Sequence, residues 1–194
     1  MKVRFYFVLV NLLVFVKVAF TMGEYVWPVD AKPALTSTFC EFRPGHFHSG
    51  IDLKVYGSVG LPCRAIDDGY IIRLKVSPVG YGKALYLKLN DGKTAVYAHL
   101  EKFTPDTEEL IKKLQHDNRS YALDYFLESS DTTWFKKGEI VAYSGRSGVK
   151  HPHVHFELRD PLERPLNPLI NGFNAIDMIP PTPRKLAKIP LDGN

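Results

Sequence analysis

The sequence predicts a mainly β protein, an antiparallel sheet or sandwich with one inserted helix. Three observations support this fold class. Short runs of β-forming residues recur between Gly, Pro, Asn and Asp along most of the chain. Two of these runs, Ala84–Leu89 and Lys93–Leu100, are joined by Asn90-Asp91-Gly92, a sequence typical of hairpin turns. A single segment after Thr104 carries helix signals instead.

The composition is that of an ordinary folded domain. The 194 residues are 45% apolar and 24% charged, which excludes a disordered chain and allows a sizeable core. The formal net charge of +4 is too small to indicate nucleic acid or an anionic lipid surface as a partner.

The N-terminal segment predicts export. Residues 1–21 contain three basic side chains and no acid, around a short apolar run from Phe5 to Val16. This pattern is typical of a cleaved secretory signal, predicted over 1–23. The run is shorter than the ~20 residues that span a bilayer, so an uncleaved anchor or a buried helix is less favoured. Without the signal the formal charge falls to +1. We expect a protein of the periplasm or extracellular space, with no stable membrane insertion.

Seven segments are predicted strands, because each is a short run of apolar or β-branched residues bounded by turn residues. They are Leu35–Cys40, Leu61–Ile66, Gly69–Val76, Ala84–Leu89, Lys93–Leu100, Glu139–Tyr143 and His153–Arg159. A helix is predicted at about 105–116, with Thr104 as N-cap, Pro105 in the first turn and acids near its start. The segment 117–135 is predicted to be an irregular connector, with a cleft wall as the alternative.

The chain is predicted to divide into a signal, one domain over 24–170, and a Pro-rich C-terminal arm over 171–194. The domain contains both cysteines, Cys40 and Cys63. An oxidising compartment permits a disulfide between them if their Cα atoms lie within ~7 Å, whereas a free thiol is the commoner state of a buried cysteine. Their pairing stays open at this point.

Histidine is concentrated in two short windows. Five of the seven histidines stand at positions 46, 48, 151, 153 and 155. Residues two apart on a strand share one face, so His153 and His155 are predicted to point the same way. The apolar residues that alternate with them would fill the opposite, buried face.

The first window adds a carboxylate to the imidazoles. His48 and Asp52 are four positions apart, and Gly50 is expected to allow the turn that lets them converge. Imidazole nitrogen and carboxylate oxygen suit Zn²⁺, and three protein ligands with an open position are typical of catalytic zinc. With His99 on a third segment, the two windows favour a metal enzyme.

Five motifs, in this order, resemble the lysostaphin-type, LytM-like zinc metallopeptidases. They are His48–Asp52 preceded by Arg43, Gly80–Gly82, Tyr97–Leu100, Gly138–Gly145 and Pro152–Glu157. The resemblance spans roughly Val26 to Ile170 and implies the β-rich duplicated hybrid motif fold. Further segments resemble an exported bacterial subgroup, some of whose members carry more β domains. The C-terminal arm therefore resembles the start of a further domain in such relatives.

The resemblance implies a role for each site residue. His48, Asp52 and His155 would bind one Zn²⁺, while His99 and His153 would handle protons. Two His-x-His registers are available because of a third histidine at 151, and the family motif assigns the ligand to the last position. Which of the two proton-handling histidines is the general base stays open.

The chain departs from the family pattern in two places. The loop Ser144–Pro152 is one residue shorter than usual and carries Lys150-His151 in place of small residues, while Cys40 replaces a usual Gly. The loop change bears on substrate access more than on zinc. His151 is open between a substrate contact, a competing ligand and a solvated residue, the last being favoured. Glu157 is open between orienting a ligand histidine and being surface charge.

The resemblance implies a zinc-dependent endopeptidase acting on peptidoglycan, with a monomer favoured. A D-amino-acid cross-link is favoured over a glycine bridge as the bond cleaved. The alternative is a non-catalytic peptidoglycan-binding regulator that activates a cell-wall amidase. Loss of catalysis usually shows as substituted ligands, whereas all three predicted ligands are present. A histidine phosphocarrier is disfavoured by the export signal and by Asp52.

Overall fold

Strands dominate the computed structural model, which describes residues 25–128 and 133–176. The predicted signal and most of the predicted arm lie outside the described residues. Thirteen strands and one α-helix, α1 (Pro105–Asp117), occur in the described part. The strands are β1 (Leu35–Ser37), β2 (Phe42–Arg43), β3 (His46–Phe47), β4 (Ile51–Leu53), β5 (Pro62–Arg64), β6 (Gly69–Val76), β7 (Lys83–Leu89), β8 (Thr94–Phe103), β9 (Leu123–Phe126), β10 (Trp134–Phe135), β11 (Ile140–Ser144), β12 (Val154–Arg159) and β13 (Pro165–Leu166). The predicted fold class is confirmed.

One branched antiparallel sheet carries eleven of these strands, in the order β1-β4-β12-β8-β7-β6-β10 along its main path. β8 is the branch point, because its first half pairs with β12 and its second half pairs with β11. β11 in turn pairs with β5, while β2 and β3 form a separate two-stranded ribbon. Strands that are distant in sequence therefore meet around β8.

The seven predicted strands and the predicted helix are found, several of the strands being shorter than expected, and the structure adds short strands that were not predicted. The hairpin of β7 and β8 forms as predicted, and the helix begins at Pro105 as predicted and ends one residue later than expected. β4 was not predicted, because its three residues are all buried and show no alternation. The prediction of an irregular connector over 117–135 is wrong, since β9 and β10 within it both pair with β6.

A single hydrophobic cluster makes up most of the core and draws residues from both branches of the sheet and from α1. Its packing continues past Ile170, because Phe173 is buried and its ring lies 5.1 Å from that of Phe156. The predicted limit of the domain at residue 170 stays a prediction.

The thiols and the helix of the described residues have two further properties. Cys40 is exposed and Cys63 is buried, and both are free thiols. No helix among residues 25–128 and 133–176 is long and apolar enough to cross a membrane.

Candidate metal centre

Sheet pairing brings the two histidine windows together. β4 and β12 are antiparallel neighbours, and their register places Asp52 directly opposite His155. His48 lies just before β4, at the base of the β2–β3 ribbon. There its backbone N–H donates to the Glu41 carbonyl and its own carbonyl accepts from the Cys40 N–H, each at 2.9 Å. All three predicted ligands are buried, and their side chains converge.

Gly50 serves a different purpose from the one expected. Its φ does not lie in the left-handed region. A Cβ at this position would lie 2.2 Å from the Phe156 carbonyl oxygen of β12. The absence of a side chain therefore lets the chain approach β12 closely enough for His48 and Asp52 to reach His155.

Three donor atoms form a nearly equilateral triangle. His48 Nε2 lies 2.9 Å from His155 Nδ1 and 3.1 Å from Asp52 Oδ1, and the third edge, from His155 Nδ1 to Asp52 Oδ1, measures 3.0 Å. Ligands ~2.0–2.1 Å from a tetrahedral zinc ion are separated by about 3.3 Å. The triangle is therefore close to one face of a zinc coordination tetrahedron.

The far side of each imidazole determines its tautomer. His48 Nδ1 lies 2.7 Å from the Thr38 carbonyl oxygen, and His155 Nε2 lies 2.8 Å from Glu157 Oε1. Because a carbonyl and a carboxylate only accept hydrogen bonds, both of these ring nitrogens carry the proton. The neutral rings then direct two lone pairs at one another and at the Asp52 carboxylate, an arrangement that a cation stabilises.

Asp52 is held in the same way. Its second oxygen, Oδ2, accepts a hydrogen bond of 2.8 Å from Arg43, which also donates to Ser37 Oγ at 2.6 Å. Every ligand thus has a partner on the side away from the triangle, as is usual for metal sites. The donor set and its supports fit Zn²⁺.

His99 reaches the site through an irregularity in β8. Its φ is +59°, in the left-handed region. Tyr97 and Leu100 both face the main core, although an odd separation on a regular strand would place them on opposite faces. The bulge at His99 causes this switch, and it occurs where β8 leaves β12 and begins to pair with β11.

His99 and His153 meet at this junction. Their ring centroids are 4.7 Å apart, and an isolated bridge pairs His153 with Gly145. In each ring Nδ1 donates to a backbone carbonyl, that of Ser147 for His99 and that of His151 for His153. Burial, together with the nearby His153, lowers the pKa of His99 to about 4. The His99 ring is therefore neutral near neutral pH, with the lone pair on Nε2.

Glu157 is buried and accepts hydrogen bonds from several side chains of the site. Its side chain is 0% exposed, which excludes the surface-charge interpretation. The carboxylate accepts hydrogen bonds from His155, Ser49 and Tyr81 at Oε1 and from Arg159 at Oε2. Although burial would raise the pKa of Glu157, the hydrogen bond from His155 and the charge of Arg159 lower it well below its usual range. The strand alternation that singled out His155 also places Glu157 on its face, a signal that could have identified it.

A cleft of about 260 Å³ opens onto the metal centre. Its lining includes His48, His99 and His155, together with Tyr81 from the segment between β6 and β7 and Val149 from the shortened loop. Burial, followed by the charge of Glu157, raises the pKa of Tyr81 to about 12, so its hydroxyl remains a donor.

Two departures from the family pattern have a structural counterpart. His151 is exposed, and its carbonyl accepts the hydrogen bond from His153. Cys40 adopts a φ of +64°, the left-handed conformation that favours glycine. The glycine that the family pattern expects at this position would suit this backbone.

Comparison with known proteins gives a consistent result. No family model matches the chain. The glycyl-glycine endopeptidase ALE-1 of Staphylococcus capitis is 30% identical over 115 residues, which are 58% of this chain and 25% of that protein. The catalytic domain of the prophage-encoded M23 protein EnpA of Enterococcus faecalis is 26% identical with a TM-score of 0.50, over 74% of this chain and 92% of that chain. The resemblance to the LytM-like peptidases is confirmed.

A third relative shares the LytM-like fold. A zinc-containing peptidase of Vibrio cholerae superimposes with a TM-score of 0.54 at 24% identity, over 74% of this chain and 39% of that chain. The present chain spans about a quarter of the length of the curated relative that it matches.

Proposed function

We propose that this chain is an exported zinc-dependent endopeptidase that hydrolyses peptide bonds in peptidoglycan. The observation that carries the proposal is the pair of hydrogen bonds from the far-side ring nitrogens to the Thr38 carbonyl and to Glu157, which leaves the lone pairs of His48 Nε2 and His155 Nδ1 directed beside Asp52. The similarity to an endopeptidase and to an M23 catalytic domain supports the same chemistry.

Zinc held by His48, Asp52 and His155 would polarise a peptide carbonyl and lower the pKa of a water to about 7. His99 and His153 would move the protons. Either ring can accept a proton at Nε2 and later deliver it to the leaving amine. Because backbone carbonyls hold the Nδ1 protons, a ring donates from Nε2 only as an imidazolium, which is also the form that stabilises an oxyanion.

The remaining parts of the proposal follow the sequence. A signal over 1–23 would direct export to the periplasm or extracellular space, and the peptidase domain would occupy 24–170, with 171–194 as an arm. Val149 lines the cleft, so the shortened loop would alter which substrates enter. A monomer is favoured, and peptidoglycan is the partner.

Lysis of purified peptidoglycan in a zymogram tests the proposal. The wild type should produce a cleared band, and His153→Ala or a chelator should abolish it. His116→Ala is the matched control, because that histidine is exposed on α1, with a side chain that is 91% accessible. Lysis that survives both the substitution and the chelator would overturn the zinc-hydrolase mechanism. Metal analysis should find one zinc per active chain.

Mass analysis of released muropeptides identifies the bond cleaved, because the product termini name it. New amino termini on stem peptides or cross-links are expected. A protein that binds peptidoglycan, releases no fragment and stimulates an amidase would instead be a regulator, which would contradict the proposal. The complete set of ligands and proton-handling histidines disfavours that alternative.

A further inference from the structure

We infer that Glu157, supported by Tyr81, is a positioning residue that orients His155 for metal binding. The inference rests on the proposed function, because it assumes that His155 is a zinc ligand. It assigns to two side chains outside the ligand triangle the task of aiming Nδ1 of this ring at the ion.

The first step is the saturation of the Glu157 carboxylate by protein donors. Oε1 accepts from His155 Nε2 at 2.8 Å, from Ser49 Oγ at 2.6 Å and from the Tyr81 hydroxyl. Oε2 accepts a hydrogen bond of 2.7 Å from Arg159 Nε and lies 2.7 Å from Nη2 of the same guanidinium in an ion pair. With no exposed surface, the carboxylate has neither the room nor the freedom to rotate away from His155.

The second step is that the position requires a carboxylate rather than an amide. His155 and Arg159 present N–H donors to opposite oxygens of Glu157. A glutamine of the same shape would turn its own NH₂ group toward one of these donors. One buried hydrogen bond would then be lost whichever way the amide faced, and a ring facing the NH₂ group would move its proton to the metal-binding nitrogen.

The two histidines proposed as ligands have different far-side partners. His48 donates to a neutral backbone carbonyl, that of Thr38, whereas His155 donates to an ionised carboxylate. An anionic partner holds the ring more firmly and makes its other nitrogen a stronger donor to a metal. Losing such a partner typically weakens metal binding by about 10–100-fold.

The fourth step links this support to the cleft. Tyr81 lines the cleft, its hydroxyl donates to Glu157, and its ring lies 5.2 Å from that of His155. The turn that carries it packs tightly, because a Cβ at Gly82 would lie 2.2 Å from the Ser147 carbonyl oxygen. Tyr81 therefore holds Glu157 and His155 from the cleft side.

Zinc affinity of the purified protein, measured by competition with a chelating dye, tests the inference. Glu157→Gln should raise the zinc Kd about 10–100-fold, and Tyr81→Phe, which removes one support of that carboxylate, should raise it by a smaller factor of about 3–10. Cobalt-substituted variants should show altered visible absorption bands, because the geometry of a ligand changes. Tyr86→Phe is the control, since within the described residues the hydroxyl of this buried tyrosine has no hydrogen-bond partner.

The outcomes separate the inference from the proposed function. A wild type that binds zinc and lyses peptidoglycan, with unchanged Kd and cobalt spectra in both variants, would overturn the positioning role alone. A wild type that binds no zinc would overturn the proposed function as well. If Glu157→Gln fails to fold, Tyr81→Phe decides, because it keeps the ring and the carboxylate.

Discussion

Two non-glycine residues near the metal centre have a left-handed backbone, His99 with φ +59° and Cys40 with φ +64°. Such a conformation costs an L-residue about 1–2 kcal/mol. At His99 the bulge turns the ring from the core to the cleft, where the proposed proton transfer requires it. At Cys40 the exposed thiol has no role in the proposed chemistry, and the same backbone would suit glycine better.

Replacing His99 by Ala is expected to lower kcat for peptide hydrolysis by about 10²–10⁴-fold, because a proton-transfer group is removed. Zinc content should not change, since His99 does not belong to the donor triangle. Turnover of a soluble peptide fragment and metal analysis measure the two effects. His116→Ala should match the wild type, and wild-type turnover by His99→Ala would exclude this residue from proton transfer.

Replacing Cys40 by Gly is expected to raise the free energy of unfolding by about 0.5–1 kcal/mol. Glycine removes the left-handed strain but has more conformational freedom in the unfolded chain, so only part of the relief remains. Denaturant unfolding measures it. Cys40→Ala keeps the left-handed strain, so its free energy of unfolding should be nearly unchanged. A denaturation midpoint of Cys40→Gly below that of the wild type would show that the backbone at Cys40 is not strained.

At the scale of elements, the contact between β4 and β12 sets the spacing of the ligands. Gly50 lies against the Phe156 carbonyl, so a side chain at position 50 would overlap the backbone of β12. The paired strands carry Asp52 and His155 at facing positions. A change at one glycine should therefore be felt in metal binding as well as in stability.

Gly50→Ala is expected to destabilise the fold by about 1–3 kcal/mol, because the overlap with the Phe156 carbonyl forces the strands apart. Zinc affinity should fall with it. Thermal unfolding and dye competition measure the two effects. Gly57→Ala is the control: its Cβ meets nothing within 4 Å but its φ of +78° adds strain, so it should lose stability without losing zinc affinity. Unchanged zinc binding in Gly50→Ala would contradict the proposed spacing.

The start of α1 is tied to the sheet by Glu108. Its Oε1 accepts from the Phe103 backbone N–H at 2.9 Å and from Lys83 Nζ at 3.1 Å. Glu108→Ala should lower the free energy of unfolding by about 1–2 kcal/mol, because both bonds are lost. Glu109→Ala, at an exposed position of the same helix, should change it by under about 0.5 kcal/mol. If chemical denaturation gave the same loss of unfolding free energy for both variants, the Glu108 hydrogen bonds would not stabilise the contact between α1 and the sheet.

At the scale of the whole molecule, the ligands join distant parts of the chain. His48 and His155 are 107 positions apart in sequence and meet at 2.9 Å. An ion bound between them exists only when the fold is formed. Binding of a metal at this site would therefore be thermodynamically linked to folding.

A chelator is expected to lower the Tm of the purified wild type, and added zinc should restore it. Free zinc at 1,000 times its Kd adds about 4 kcal/mol to the stability of the folded state. Differential scanning calorimetry with and without chelator measures the shift. Asp52→Asn, which removes a charged ligand, should show a much smaller shift, and a wild-type Tm independent of zinc would argue against a metal at this site.

Local patterns explain which elements could be predicted. The β7–β8 hairpin and α1 have turn and cap signals within a few residues, so both were found. β4 has no such signal, because all three of its residues are buried between β1 and β12. β9 and β10 form because an edge of β6 is available to pair with them. The sequence of segment 117–135 does not itself show that this partner is present.

The site shows the same division. His48, Asp52, His99, His153 and His155 were recognised because residue type and spacing mark them. Tyr81 and Ser49 were missed, since an isolated tyrosine or serine carries no signal until a buried carboxylate lies beside it. Glu157 was left open for the same reason, although its place two residues after His155 on one strand face already pointed to it.

The sequence by itself determined the fold class and the set of metal-competent side chains, because periodicity, turn residues and ligand chemistry are local properties. Only the tertiary structure decided the tautomers of His48 and His155, the re-aiming of His99 and the burial of Glu157. Each of these depends on an atom from a distant segment: the Thr38 carbonyl, the strand switch at β8, and the donors of Tyr81 and Arg159.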